Sequence, residues 1–123
     1  MRQAMPQEIE VWYLIPAIRK ELAKIFISKY EMSQKEIADI LGLTESAVSQ
    51  YLKDKRGNQL KFNLNERKII NKTAKKISED KNNSIKHLYD LCNTLKNTKT
   101  ICDLHRKHNP KISKDCDFCS MKN

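Results

Sequence analysis

The stretch SQKEIADILGLTESAVSQYLK, residues 33–53, decides the reading of this chain. Ile37, Ala38, Ile40 and Leu41 give a helix of about two turns one apolar face, and Gly42 follows it as a C-cap free to take positive φ. The turn is Gly42-Leu43-Thr44. Thr44 caps a second helix on which Ala47, Val48, Tyr51 and Leu52 face inward, leaving Glu45, Ser46, Ser49, Gln50 and Lys53 outward. Ala38 is small where the two helices come closest, as a steep crossing after so short a turn requires. Glycine, cap, crossing residue and the basic segment Lys53-Asp54-Lys55-Arg56-Gly57 together predict a DNA-reading helix-turn-helix. The outward row is the expected reading surface, and Gln34, Thr44, Lys55 and Arg56 complete the DNA-binding set of Gln34, Thr44, Glu45, Ser46, Ser49, Gln50, Lys53, Lys55 and Arg56. Serine, glutamine and lysine side chains there can meet base edges or phosphates.

The flanks read as helices too. Upstream, Val11, Trp12, Leu14, Ile15, Ile18, Leu22, Ile25 and Phe26 recur at mostly helical spacing. Pro16 predicts a boundary, with one helix from about Pro16 to Tyr30 and Glu8 to Ile15 a separate short helix or an extended arm. Trp12 and Tyr13 read as core or dimer contacts. Downstream, Arg56-Gly57-Asn58 is a turn signal, and Gln59 to Phe62 a loop or rudimentary wing. Asn63 and Glu66 stand at capping-box spacing ahead of a helix to about Asp80, with Ile69, Ile70, Ala74 and Ile77 on its buried side. Ser84 is expected to cap a further helix in which Ile85, Leu88, Leu91, Cys92 and Leu95 form a narrow stripe, as core or dimer seam. His87 on that helix reads as an ordinary surface residue.

Composition agrees with an all-α chain. The 123 residues are 39% hydrophobic and 32% charged, with two glycines and three prolines, which disfavours a β-sandwich or a disordered chain. The net charge of +9 suits a polyanionic partner, and residues 81–123 alone hold nine basic against four acidic side chains. The run from Val11 to Ile18 is too short to span a bilayer, and no signal-peptide pattern opens the chain, so no membrane association and a cytoplasmic location are expected.

All four cysteines, Cys92, Cys102, Cys116 and Cys119, fall in the last third, and Cys116-Asp117-Phe118-Cys119 suits a knuckle holding two thiolates on one metal centre. Disulfides do not suit a cytoplasmic chain. One ligand set is Cys92, Cys102, Cys116 and Cys119, which with the cations Arg106, Lys107, Lys111 and Lys114 nearby favours an iron-sulfur cluster, 4Fe-4S in type. The alternative is zinc, held by Cys102, His105, Cys116 and Cys119 with Cys92 left as a small hydrophobe, or by all four thiolates. An enzyme is not expected: the Cys-x2-Cys pair lacks the βαβ context of a redox dithiol and the H-x-E signature of a deaminase, and no small-molecule substrate is implied.

The segments VWYLIPAIRKELAK (11–24), SQKEIADILGLTESAVSQYLKDKRG (33–57) and CDLHRKHNP…CDFC (102–119) resemble those of archaeal predicted transcriptional regulators with an XRE-type helix-turn-helix. The resemblance covers nearly the whole chain. It implies an all-α DNA-binding domain in a homodimer on double-stranded DNA, with the helix from Thr44 to Lys53 in the major groove. It does not say what the cysteines bind. The expected organisation is a DNA-binding domain at 1–63, a helical linker or dimerisation region at 64–98 and a cysteine-rich metal-binding tail at 99–123. The expected function is sequence-specific transcription regulation under redox or iron control through the cluster, or, in the zinc alternative, a DNA-binding adaptor with a structural tail.

Overall fold

A computed structural model describes residues 5–104 apart from 59, 97, 99 and 102. Among these residues every regular element is helical: α1 (Pro6–Ile9), a π-helical segment (Glu10–Leu14), α2 (Ile15–Lys29), α3 (Gln34–Leu41), α4 (Glu45–Leu52), α5 (Leu64–Glu79), a 3-10 turn (Lys81–Asn83) and α6 (Ser84–Leu95). None of the described helices is long and apolar enough to cross a membrane. Cys102, Cys116, Cys119, His105 and nearly all of the expected metal-binding tail lie outside the described residues.

α2 spans Ile15–Lys29, the helix expected from about Pro16 to Tyr30, but the segment ahead of it is continuous with it rather than separate. Instead of breaking at Pro16, α1 runs through the π segment into α2, with Ile9, Leu14 and Ile15 all in right-handed helical conformation. Proline lacks an N–H, and its ring collides with the carbonyl four residues back. The π turn removes the conflict: Ile15 N–H reaches five residues back to Glu10 O, which widens the helix ahead of the ring and leaves Pro16 in the first turn of α2, where no donor is missed. Trp12, on this segment, is surface-exposed and meets Tyr13 edge-on at 6.4 Å between ring centroids, so it is not part of the core.

α2 is the central element, its Ala17, Ile18, Leu22, Ala23 and Phe26 buried among side chains of the other helices. Each fully buried aliphatic or aromatic side chain there contributes about 1.5–3 kcal/mol. One core spans Ile9 to Ile101, so side chains on either side of residue 63 share it. Segment 58–63 forms no strand or wing in its described part; Leu60 and Phe62 anchor it in that core. α5 begins with the expected capping box, Asn63 Oδ1 accepting from Glu66 N–H at 2.8 Å and Glu66 Oε1 accepting from Asn63 N–H at 2.9 Å.

α6 differs from its sequence reading in three respects. Ser84 is its first residue rather than its cap, and the hydroxyl instead donates to Ile40 O at 3.2 Å, satisfying a carbonyl at the end of α3. The expected single stripe divides: Leu91 and Leu95 are buried, Leu88 and Cys92 partly buried, and Ile85 exposed. His87 is half-buried, with Nε2 3.3 Å from Asp80 Oδ2, not an isolated surface group. Hydrogen bonds from Asn83 and then the contact with His87 hold the Asp80 carboxyl below its ordinary value.

Candidate nucleic-acid interface

The α3–α4 unit is built by local chemistry. Ser33 Oγ accepts from Glu36 N–H at 3.1 Å to start α3, and Thr44 Oγ1 accepts from Ala47 N–H at 3.1 Å to start α4. Between them Gly42 takes φ 68°, and Leu43 N–H closes the end of α3 by donating to Ala38 O at 2.9 Å. Ala38, Ile37, Ile40 and Leu41 are buried, as are Val48 and Tyr51 of α4, while Ala47 and Leu52 are half-buried at the edge of the packing.

The remaining surface of α4 is polar. Thr44, Glu45, Ser46 and Lys53 are exposed, and Ser49 and Gln50 are partly so. Gln34 is exposed at the start of α3. Among the described residues no hydrogen bond or ion pair engages the side chains of Ser46, Ser49, Gln50, Lys53, Lys55 or Arg56. A solvated helix face more often pairs its charges three or four residues apart. These side chains are free to meet a ligand.

The loop after α4 is less obvious from sequence. The helix ends in a Schellman motif, Lys55 N–H donating to Gln50 O at 2.9 Å and Asp54 N–H to Tyr51 O at 3.1 Å, with Asp54 in the left-handed position at φ 60°. Aspartate tolerates that conformation better than most residues, and here it is also tied down from outside. Lys24 Nζ donates to Asp54 Oδ1 at 2.6 Å, and Lys20 Nζ lies 3.1 Å from the same oxygen. Lys20 also donates to Asn58 Oδ1 at 2.5 Å, and the Asn58 amide donates back to Asp54 O. Hydrogen bonds from Lys24 and then Lys20 hold the Asp54 carboxyl below its ordinary value. Gly57, at φ 76°, closes the loop against α2, where an added Cβ would stand 2.6 Å from Pro16 O.

The consequence is electrostatic sorting. Lys20 and Lys24 are spent on the carboxylate, while Lys53, Lys55 and Arg56 project from a loop pinned at Asp54, Gly57 and Asn58. Lys20 and Lys24 are thus positioning residues that sequence reading missed, since their bonds to Asn58 and Asp54 span 38 and 30 residues and no local pattern links them. Beside the loop, Lys61 and Arg67 line a polar cleft of about 490 Å³ that also touches Lys20 and Asn58. Arg67 is shared with Glu21, 3.7 Å away, and with Phe62 O.

No family model, curated protein or solved structure matches the chain.

Of the four expected metal ligands only Cys92 is among the described residues. It lies half-buried on α6 in the wall of a groove shared with Glu10, Ile15 and Leu88. Burial pushes its thiol up, Glu10 adds to this, and Arg19 opposes it. No three His, Cys, Asp or Glu side chains among the described residues come together as a metal site.

Proposed function

We propose that this chain is a sequence-specific, DNA-binding transcription regulator, with α3 and α4 acting as a helix-turn-helix and working as a homodimer. The observation that carries the proposal is the α4 face: Ser46, Ser49 and Gln50, unengaged within the described residues, stand beside a pinned loop that projects Lys53, Lys55 and Arg56. Amide and hydroxyl groups on a helix fit base edges, and cations at its end fit phosphates. The pinning also supports the reading. A loop fixed to α2 at three points loses little conformational freedom when it meets a phosphate, so more of the contact energy remains as affinity.

Selection from a random duplex library tests it. A shared motif of a few base pairs should be enriched, and binding should weaken steeply with salt. Enrichment of no motif would sink the proposal. Arg56→Ala and Lys55→Ala should each weaken binding on every sequence and reduce the salt slope by about one.

For the tail we propose a metal centre on cysteine thiolates. A bound metal deprotonates its thiol ligands itself, so the burial that favours the neutral Cys92 thiol in the metal-free chain leaves both ligand sets open. Zinc on Cys102, His105, Cys116 and Cys119 would stabilise the tail. The iron-sulfur reading adds Cys92 from α6 to the site and uses all four thiolates. Iron, zinc and acid-labile sulfide analysis of anaerobically purified protein separates the two: one zinc and no sulfide supports the first, and stoichiometric iron and sulfide supports the second. Neither metal would remove both.

A further inference from the structure

α6 carries two apolar faces. Leu91 and Leu95 enter the core, whereas Ile85, Tyr89 and Cys92, spaced four and three residues apart, line a different side of the helix. Ile85 is 69% and Tyr89 66% exposed. Across from them, on the π segment, Val11 is 60% exposed. Between these two walls runs an open groove of about 470 Å³ floored by Ile15, Ile18 and Leu41. Three large exposed apolar side chains around one concave apolar floor mark an interaction surface rather than scattered surface residues.

The charges say what fits it. Glu10 stands on the π-segment wall, Arg19 on α2 beside it, and Lys96 on the α6 wall. The same surface therefore offers projecting apolar side chains, a groove to receive them, and both members of an ion pair on opposite walls. Such a patch is complementary to itself under a two-fold rotation. We infer that this groove is where a second copy of the chain docks: α6 of each copy lies against the groove of the other, Tyr89 and Ile85 cover the partner's apolar floor, and Glu10 on each copy meets Lys96 on the other. The inference rests on the DNA-reading proposal only for what the dimer does, since two reading helices on one rigid body would recognise two half-sites at fixed spacing.

Sedimentation velocity of the full chain without DNA, under reductant and across micromolar concentrations, tests the association. Wild type should sediment as a concentration-dependent dimer. Ile85→Glu and Tyr89→Glu should each raise the dissociation constant by about tenfold or more, as central apolar contacts do. Leu64→Glu, at a 78% exposed position at the start of α5, should leave it unchanged. Because Ile85 and Tyr89 are exposed in the single chain, helical circular dichroism should be retained. A charge exchange keeps the test independent of the apolar variants: Glu10→Lys should weaken the dimer, and adding Lys96→Glu should restore it. A wild-type monomer at all concentrations overturns the inference, as does a dimer indifferent to both apolar variants and the charge exchange. A dimer that shows no DNA discrimination removes the DNA proposal and leaves this one; a discriminating monomer does the reverse.

Discussion

Two left-handed residues end the two helices of the α3–α4 unit, and they are held there in opposite ways. Gly42 needs no help: it has no Cβ, nothing lies within 4 Å of where one would be, and only its φ of 68° restricts what could replace it. Asp54 takes the same conformation with a side chain, and two lysines from α2 hold that side chain in place. The first helix end is thus specified by its own few residues and the second by tertiary contact. The difference suits the task of each. The Gly42 turn fixes the angle between two helices, whereas the Asp54 loop fixes cations relative to the rest of the fold.

Substitutions that change one end and spare the other sharpen this contrast. The largest effect belongs to Gly57, which shares the Asp54 loop: Gly57→Ala combines left-handed strain with a Cβ 2.6 Å from Pro16 O, and thermal or urea unfolding should show a loss of about 2–4 kcal/mol. Gly42→Ala meets open space and should lose only the conformational part, about 1–2 kcal/mol. Equal losses at the two glycines would mean that the contact with α2 does not hold the loop. Thr44→Ala removes the cap of α4 and should lose about 1 kcal/mol, largely recovered by Thr44→Asp.

The smallest effect should come from Asp54 itself, and it is best read against pH. Its carboxyl is held below the ordinary carboxylate value in the folded chain. Such a group contributes stability that is fully present above its unfolded value and is lost as pH falls through the folded one. Wild type should therefore lose melting temperature on acidification through and below the normal aspartate range. Asp54→Asn should lose less over the same interval, with Asp80, whose carboxyl is displaced in the same direction, still contributing. An identical pH dependence in both proteins would show that the lysine contacts add nothing to stability in solution, as exposed ion pairs often do not.

The contrast also marks what the sequence could disclose. Gly42, Thr44 and the Asn63–Glu66 box act within four residues of themselves, so their roles were legible from spacing, and the helices they bound are where that spacing places them. Pro16 marked where α2 begins but not how the chain enters it, because a proline announces the missing N–H and not the π turn that accommodates it. Ser84 misled for a related reason: a hydroxyl that can cap a helix can equally donate to a distant carbonyl, and the carbonyl of Ile40 lies 44 residues away. At the candidate interface the outward row was legible from helical periodicity. The clamp of Lys20, Lys24 and Asn58 on Asp54 was not, because in sequence those lysines look like any others on a solvated face.

Whether α4 reads bases is tested most directly through Gln50. The measurement is the affinity of wild type and Gln50→Ala for a duplex selected from a random library and for a scrambled duplex of the same length, each at low and physiological salt. Gln50→Ala should lose about tenfold or more on the selected duplex and little on the scrambled one, consistent with about 1–3 kcal/mol for a bidentate base contact, and its salt slope should match that of wild type. Equal loss on both duplexes, or a wild-type protein that does not distinguish them, would contradict base reading by this helix.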